Sequence, residues 1–255
     1  MCRHFAWVGG PRTLNALFFE PSYGLPEQAK LPRWQQIGLV NKDGFGAGWH
    51  PAEGGTEVYR TTTPIWEDTV FPVWAPEVSA RCVLGAARAA SPGMPIEETA
   101  NAPFTNGQVL FSLNGHCDVG KVGALLEAGR TPESTCDSAF LAAVLWQRLD
   151  QGAPLADAVE GLLYDVVALD PNACLNMLAT DGARAVATTW AETLCYRREP
   201  DGVMVASEPQ DDREDWTTVP DRSIVRTDGT SVEVEPLRTL PSASPTVLPG
   251  EAVPG

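Results

Sequence analysis

Only two stretches of this chain repeat their apolar residues on a helical period, and they lie side by side in its middle. Ser138 to Leu149 and Pro154 to Val167 space apolar side chains three and four apart, with Pro154 close to a helix start. On both sides of them the apolar runs are short and broken by turn residues, which predicts strands. Ahead of the helices these are Cys2 to Val8, the pair Ala47–Trp49 and Glu57–Arg60, Val83 to Ala87, and Val109 to Leu113. Behind them come Cys174–Thr180, Ala183–Thr189, Thr193–Arg197, Val203–Ser207, Ser223–Thr227 and Ser231–Glu235. Asp181-Gly182 predicts a two-residue hairpin turn, and Asp228-Gly229-Thr230 joins the last pair. Residues 11–38, interrupted by four prolines, are expected to be mostly loop.

Strands, two central helices and more strands predict one α+β domain of stacked antiparallel sheets over residues 2–235. From Pro236 onward proline, serine and threonine dominate, so residues 236–255 are expected to form a disordered tail. With 255 residues the chain can bury a sizeable core.

The formal charge of −15 argues against nucleic acid or an anionic membrane as a partner, because phosphates would be repelled. No apolar run approaches the ~18 residues of a membrane span, and no signal segment is expected ahead of Cys2. Six cysteines are spread without a CxxC spacing, which points to reduced, mostly buried thiols in a cytoplasmic protein. No metal is expected, since His4, His50 and His116 are far apart and His116-Cys117 is not a zinc spacing.

Cys2 carries the first hint of chemistry. Removal of Met1 would make it the first residue, where its own α-amino group can activate the thiol. An α-amino pKa of roughly 7.7–8.0 and a thiol pKa of about 8.5 make that proton exchange nearly thermoneutral. Further patterns follow in order. Asn41-Lys42-Asp43-Gly44-Phe45-Gly46-Ala47-Gly48-Trp49 has glycines at alternate positions, leaving one side of the chain bare for a close backbone or ligand. Arg88, ending an apolar strand, is placed to hold a carboxylate with Ser91 beside it, although a strand-end arginine alone is more often a surface residue. Asn101-Ala102-Pro103-Phe104 reads as a rigid structural loop. Asn114-Gly115 offers a side-chain amide and a backbone N–H for an oxyanion, or else a turn. Asp137, just ahead of the first helix, is either a cap or an acceptor for a substrate ammonium.

Taken together, these residues resemble the class II glutamine amidotransferases. Asn176–Gly182 and Ala206-Ser207-Glu208-Pro209 extend the resemblance over roughly residues 2–235. It implies a four-layer αββα sandwich of the N-terminal-nucleophile hydrolases, with Cys2, Asn114 and Gly115 catalytic and Arg88, Ser91 and Asp137 binding substrate. The opening Met1-Cys2-Arg3-His4 and the run Val40–Gly46 are similar to a stand-alone branch, the ergothioneine-pathway amidohydrolases. That implies cleavage of a small-molecule γ-glutamyl amide, γ-glutamyl-hercynylcysteine S-oxide, without any cofactor. The alternative is a glutaminase subunit that hands ammonia to a separate synthase. Two departures stand out: Ala86 and Ala87, and Leu113, occupy positions where many relatives carry histidine. Trp34, Trp66 and Trp74, in loops 20–36 and 61–76, are candidates for contact with the leaving amine, or plain surface-loop anchors.

Overall fold

Side chains alternate between the two faces of a strand, so a chain of short alternating runs buries itself by stacking sheets. The computed structural model describes residues 2–34 and 40–238. In chain order the elements are β1 (Arg3–Thr13), α1 (Leu14–Phe18), α2 (Leu25–Lys30), β2 (Phe45–Trp49), β3 (Glu57–Thr61), α3 (Phe71–Trp74) and β4 (Ser79–Ala87). Then follow β5 (Phe104–Thr105), β6 (Leu110–His116), α4 (Val119–Val122), α5 (Asp137–Asp150), α6 (Leu155–Leu169) and β7 (Cys174–Thr180). The last are β8 (Ala185–Thr189), β9 (Cys195–Glu199), β10 (Gly202–Ala206), β11 (Thr217–Thr218), β12 (Ser223–Thr227) and β13 (Val232–Pro236).

A seven-stranded sheet has the order β11-β9-β10-β1-β4-β2-β3, and a six-stranded sheet the order β13-β12-β8-β7-β6-β5. All their pairings are antiparallel. The sheets face each other through Ala6, Leu84, Val205, Leu110, Leu178 and Val225. On its outer face the first sheet buries Phe5, Trp7 and Phe45 under α1, α2 and α3. The second buries Phe111, Leu175 and Met177 under α5 and α6. Helix, sheet, sheet, helix is the four-layer αββα arrangement.

The local elements follow from their residues. Helix α6 buries Ala158, Val159, Leu162, Leu163, Val166 and Val167, a stripe on one helical face. Strand β1 runs on to Thr13, further than its first alternating segment, because the ladder to β4 shifts register between Val8 and Arg12. Pro11 sits in that irregularity, where a missing N–H is tolerated. The stretch expected to be mostly loop also holds the short α1 and α2. The β7–β8 connection is a four-residue loop, not the two-residue turn that Asp181-Gly182 suggested. Thr180 pairs with Ala185, and the Asp181 Oδ1 accepts from the Ala183 and Arg184 N–H groups at 3.0 and 2.8 Å. The aspartate side chain thus does the work of a turn that its backbone alone would have made shorter. The β12–β13 connection repeats the device with Asp228.

The expected tail boundary moves outward. β13 includes Pro236, Leu237 is buried, and the Arg238 N–H donates to the Tyr164 hydroxyl at 2.6 Å. The remainder of that segment lies outside the described residues, as does Met1. Among the described residues no helix is long and apolar enough to cross a membrane.

Candidate active site

Cys2 stands immediately ahead of β1, and β1 pairs with β4 so that Arg3 lies opposite Ala87. The next residues outward on the two strands are Cys2 and Arg88, and both line one narrow pocket of about 10 Å³ together with Ser112 and Ser138. Cys2 is half-buried, whereas the other five cysteines are buried and free. Burial pushes the Cys82 and Cys174 thiols up to about 12, so they stay protonated.

Arg88 is held by its backbone. Its N–H donates to the Gly44 carbonyl at 2.8 Å, its carbonyl accepts from Asp43 at 3.0 Å, and Asp43 Oδ2 accepts from Ala90 at 2.8 Å. The alternating glycines do make room for close neighbours: the Thr61 and Ala102 carbonyls and the side chains of Asn101, Pro103 and Leu110. A Cβ on Gly44, whose φ is +116°, would lie 2.4 Å from Asn101 Nδ2, and one on Gly46 2.4 Å from the Ala102 carbonyl. The buried Arg88 Nη1 donates to the Pro95 carbonyl at 2.8 Å, which leaves the other guanidinium N–H groups of this side.

Asn114 is fully buried near the end of β6. Its Nδ2 lies 3.5 Å from Ser207 Oγ, leaving the second amide hydrogen for another acceptor. Ser207 Oγ also accepts from the His4 N–H at 3.1 Å and donates to the His4 carbonyl at 3.2 Å. One hydroxyl, fully used, thereby ties the strand that carries Cys2 to Asn114. Gly115 pairs with Leu175, whose N–H is spent on the Trp190 carbonyl on the far side of β7. In an antiparallel ladder the Gly115 N–H then points away from β7, where β5 has already ended, and the ladder does not use it. Only glycine fits there: a Cβ would sit 1.9 Å from the Cys174 carbonyl.

Asp137 is the first residue of α5, with Cys136 in the capping position. Its Oδ2 accepts from the Cys117 N–H at 3.2 Å, and its Oδ1 from the Ser138 N–H at 2.8 Å and hydroxyl at 3.2 Å. Burial raises its pKa, and these hydrogen bonds oppose the rise. Three of about four acceptor sites are filled, so one remains. Ser91 does not line that pocket; it is exposed and lines a second, wider hollow of about 440 Å³, together with Gly115, His116 and Glu192.

The sequence reading missed the groups that support these residues. His4, two residues from Cys2 and on the same face, places Nδ1 3.1 Å from Ser112 Oγ across the sheets. Burial first, then the Arg3 charge, push its pKa down to about 3, so its ring is neutral. Arg3 and Glu208, both fully buried, approach at 3.6 Å on the opposite face. Glu208 Oε2 also accepts from the Arg33 and Trp34 N–H groups, both at 2.8 Å. Ala206-Ser207-Glu208-Pro209 was visible in the sequence, yet nothing local says that it meets the N-terminal strand. Of the two readings of Trp34, Trp66 and Trp74, the anchor reading fits: all three pack on the outer cluster of the first sheet. Trp74 lies 5.7 Å from Trp49, ring to ring.

A larger hollow of about 660 Å³ opens at the other end of β1 and β4. No thiol lines it, and its His50 has both ring nitrogens engaged, by the Gly55 carbonyl at 3.1 Å and Thr180 Oγ1 at 3.2 Å. Among the described residues no group of three or more His, Cys, Asp or Glu side chains is arranged for a metal ion.

No protein-family model matches the chain. Whole proteins do. A gamma-glutamyl-hercynylcysteine sulfoxide hydrolase of Mycolicibacterium smegmatis is 46% identical over 237 residues, which is 93% of this chain and 100% of the relative. A Mycobacterium tuberculosis protein of the same name is 44% identical over 225 residues, 88% of this chain and 92% of its own length. Among solved structures, a glutamine aminotransferase class-II domain protein from Silicibacter pomeroyi superposes with a TM-score of 0.61 at 20% identity, over 93% of this chain and 100% of that one. The glutamine phosphoribosylpyrophosphate amidotransferase of B. subtilis gives 0.70 at 16% identity, over 94% of this chain and 50% of that one. At such identities the structures speak for the fold alone. The sequence relatives say more: matched over 93% of its length at 46% identity, this chain belongs to the gamma-glutamyl-hercynylcysteine sulfoxide hydrolases.

Proposed function

We propose that this protein hydrolyses the γ-glutamyl amide bond of γ-glutamyl-hercynylcysteine sulfoxide, releasing glutamate and hercynylcysteine sulfoxide. The observation that carries the reading is the meeting of an accessible Cys2 with Arg88 in one pocket, in a chain of this family. Six free cysteines also suit a reducing, cytoplasmic compartment.

With Met1 removed, the α-amino group of Cys2 takes the thiol proton, directly or through water, and Sγ attacks the δ-carbonyl carbon of the substrate. The resulting oxyanion accepts hydrogen bonds from the spare Asn114 amide hydrogen and the Gly115 N–H. Collapse breaks the C–N bond, the α-ammonium returns its proton to the leaving amine, and a γ-glutamyl thioester remains on Cys2. Water, deprotonated by the same amine, hydrolyses the thioester and frees glutamate. Arg88 binds the α-carboxylate of the glutamyl group, and the open acceptor site of Asp137 takes its α-ammonium. Ser91, on the exposed turn beyond Arg88, contributes its hydroxyl at the rim.

The test is turnover of the sulfoxide conjugate and of glutamine by purified protein whose N-terminal mass is known. Glutamate release from the conjugate is expected, with Cys2→Ala slower by at least about 1,000-fold while still binding substrate. Undiminished turnover in Cys2→Ala, or in chains that keep Met1, would refute the mechanism.

A further inference from the structure

The narrow pocket and the wider hollow share their walls. Ala86 to Arg88 line the first and Ala89 to Pro92 the second. Likewise Ser112 and Leu113 line the first, Gly115 and His116 the second. Asn114 lies between the two sets. A substrate whose carbonyl sits against Cys2 and the Gly115 N–H, with its glutamyl end on Arg88, has the wider hollow before it for everything beyond the scissile nitrogen. At about 440 Å³ against about 10 Å³, that hollow has room for a leaving group much larger than ammonia.

The wall opposite Gly115 is the turn between β8 and β9, and that turn is held tightly. The buried Asn176 amide spans it, accepting from the Trp190 N–H at 2.9 Å and donating to the Thr193 carbonyl at 3.0 Å. Asp221 Oδ1 accepts from the Ala191 N–H at 2.8 Å. Ala191 has a φ of +71°, a left-handed conformation that a residue with a Cβ adopts only when its surroundings impose it. The effect is to present Glu192 to the hollow, its Oε2 accepting from the Thr193 N–H at 3.2 Å. Glu192 forms no ion pair among the described residues. Its field is felt around it: it helps hold the neighbouring Cys174 thiol protonated and favours the charged form of Arg3, against burial.

We infer that the wider hollow is the leaving-group subsite and that Glu192 is the residue there that selects a cationic leaving amine. The inference rests on the amidohydrolase reading above and deepens it. The class of ligand is an amine bearing a quaternary ammonium, which has no N–H to donate and is recognised through its charge. Hercynylcysteine, with its trimethylammonium group, is such an amine. A half-buried carboxylate that closes no ion pair among the described residues, fixed on a strained turn facing the oxyanion donors, is the complement such a group requires.

The experiment uses two γ-glutamyl amides of the same shape, one of 2-(trimethylammonio)ethylamine and one of its neutral carbon isostere, 3,3-dimethylbutylamine. The readout is the ratio of their kcat/KM values in the wild-type protein and in Glu192→Gln, which keeps the bond to the Thr193 N–H. The wild type is expected to prefer the cationic amide, and Glu192→Gln to reduce that ratio about fivefold, the scale of a partly exposed charge pair. Raising the salt concentration should shrink the wild-type ratio and leave the variant's ratio nearly flat. An unchanged ratio in Glu192→Gln overturns the inference, and so does an equal loss on both amides, which would assign Glu192 to the nucleophile end. If the folded wild type cleaves neither amide nor the sulfoxide conjugate, the amidohydrolase reading itself fails, and that failure is distinct from a flat ratio.

Discussion

The layer between the two sheets has two ends that are built by the same alternation of side chains and differ in kind. Through its middle, Ala6, Leu84, Leu110, Leu178 and Val225 meet as a dry apolar seam. Toward the end where β1 begins, the same faces carry His4, Ser112, Asn114, Asn176 and Ser207, all nearly or fully buried. An apolar seam needs only volume and burial. A buried polar group costs free energy unless it is paired, and here His4 Nε2 and Asn114 Oδ1 have no partner among the described residues, so the second end is held at a cost in stability. The contrast marks where the proposed site lies: stability would have been served by continuing the seam, and the chain does not continue it where Cys2 and Arg88 meet.

Three changes break or sharpen that contrast. Leu178→Ala opens a cavity in the seam and should cost about 2–5 kcal/mol, seen as a lower denaturant midpoint, while kcat per folded molecule stays within about twofold. A large loss of kcat would show that the two ends are not separable. Asn114→Ala should do the reverse. Its expected loss is about 100–1,000-fold in kcat, the effect of removing one oxyanion donor, with KM little altered. A KM effect alone would take Asn114 out of the reaction. Asp137→Asn should give the smallest change, a KM higher by about tenfold, since the lost contact is one hydrogen bond to a charged group.

Asp137 also sets a pH dependence. Burial raises its pKa above the unfolded value, so the folded chain holds the proton more tightly. The stability it contributes is fully present below the unfolded pKa and is lost as pH rises through the folded one. Above its raised pKa the carboxylate is ionised against the interest of the fold. Lowering the pH through its raised pKa removes the charge that would hold an ammonium. KM should therefore climb there in the wild type and stay level in Asp137→Asn, as initial rates across the acid range would reveal.

Much of the architecture was legible because it is local. The apolar spacing of residues 138–149 and 154–167 located α5 and α6, and the run Cys174–Thr180 was bounded correctly as a strand. Glycines at alternate positions in 44–48 announced a close backbone neighbour, although not which one. Turns were read less well: an Asp-Gly pair looks like a two-residue hairpin until the aspartate side chain is seen capping a longer loop. In the site, Cys2, Arg88, Asn114-Gly115 and Asp137 were each nameable from residue type and the family pattern. Ser207 and Glu192 were not singled out, because a serine in Ala-Ser-Glu-Pro and a glutamate in a turn look ordinary.

By itself the sequence determined most of the strands, the two long helices and which side chains are chemically able to act, since these follow from residue type and short-range periodicity. Only the tertiary structure decided which of them act together. Ser207 Oγ reaches the His4 N–H across 203 residues of chain, and the pairing of Arg3 with Ala87 is what brings Cys2 to Arg88. Such contacts depend on the strand order within each sheet and on how the sheets face each other. That order is set by burial of the whole apolar surface at once, and no local spacing records it.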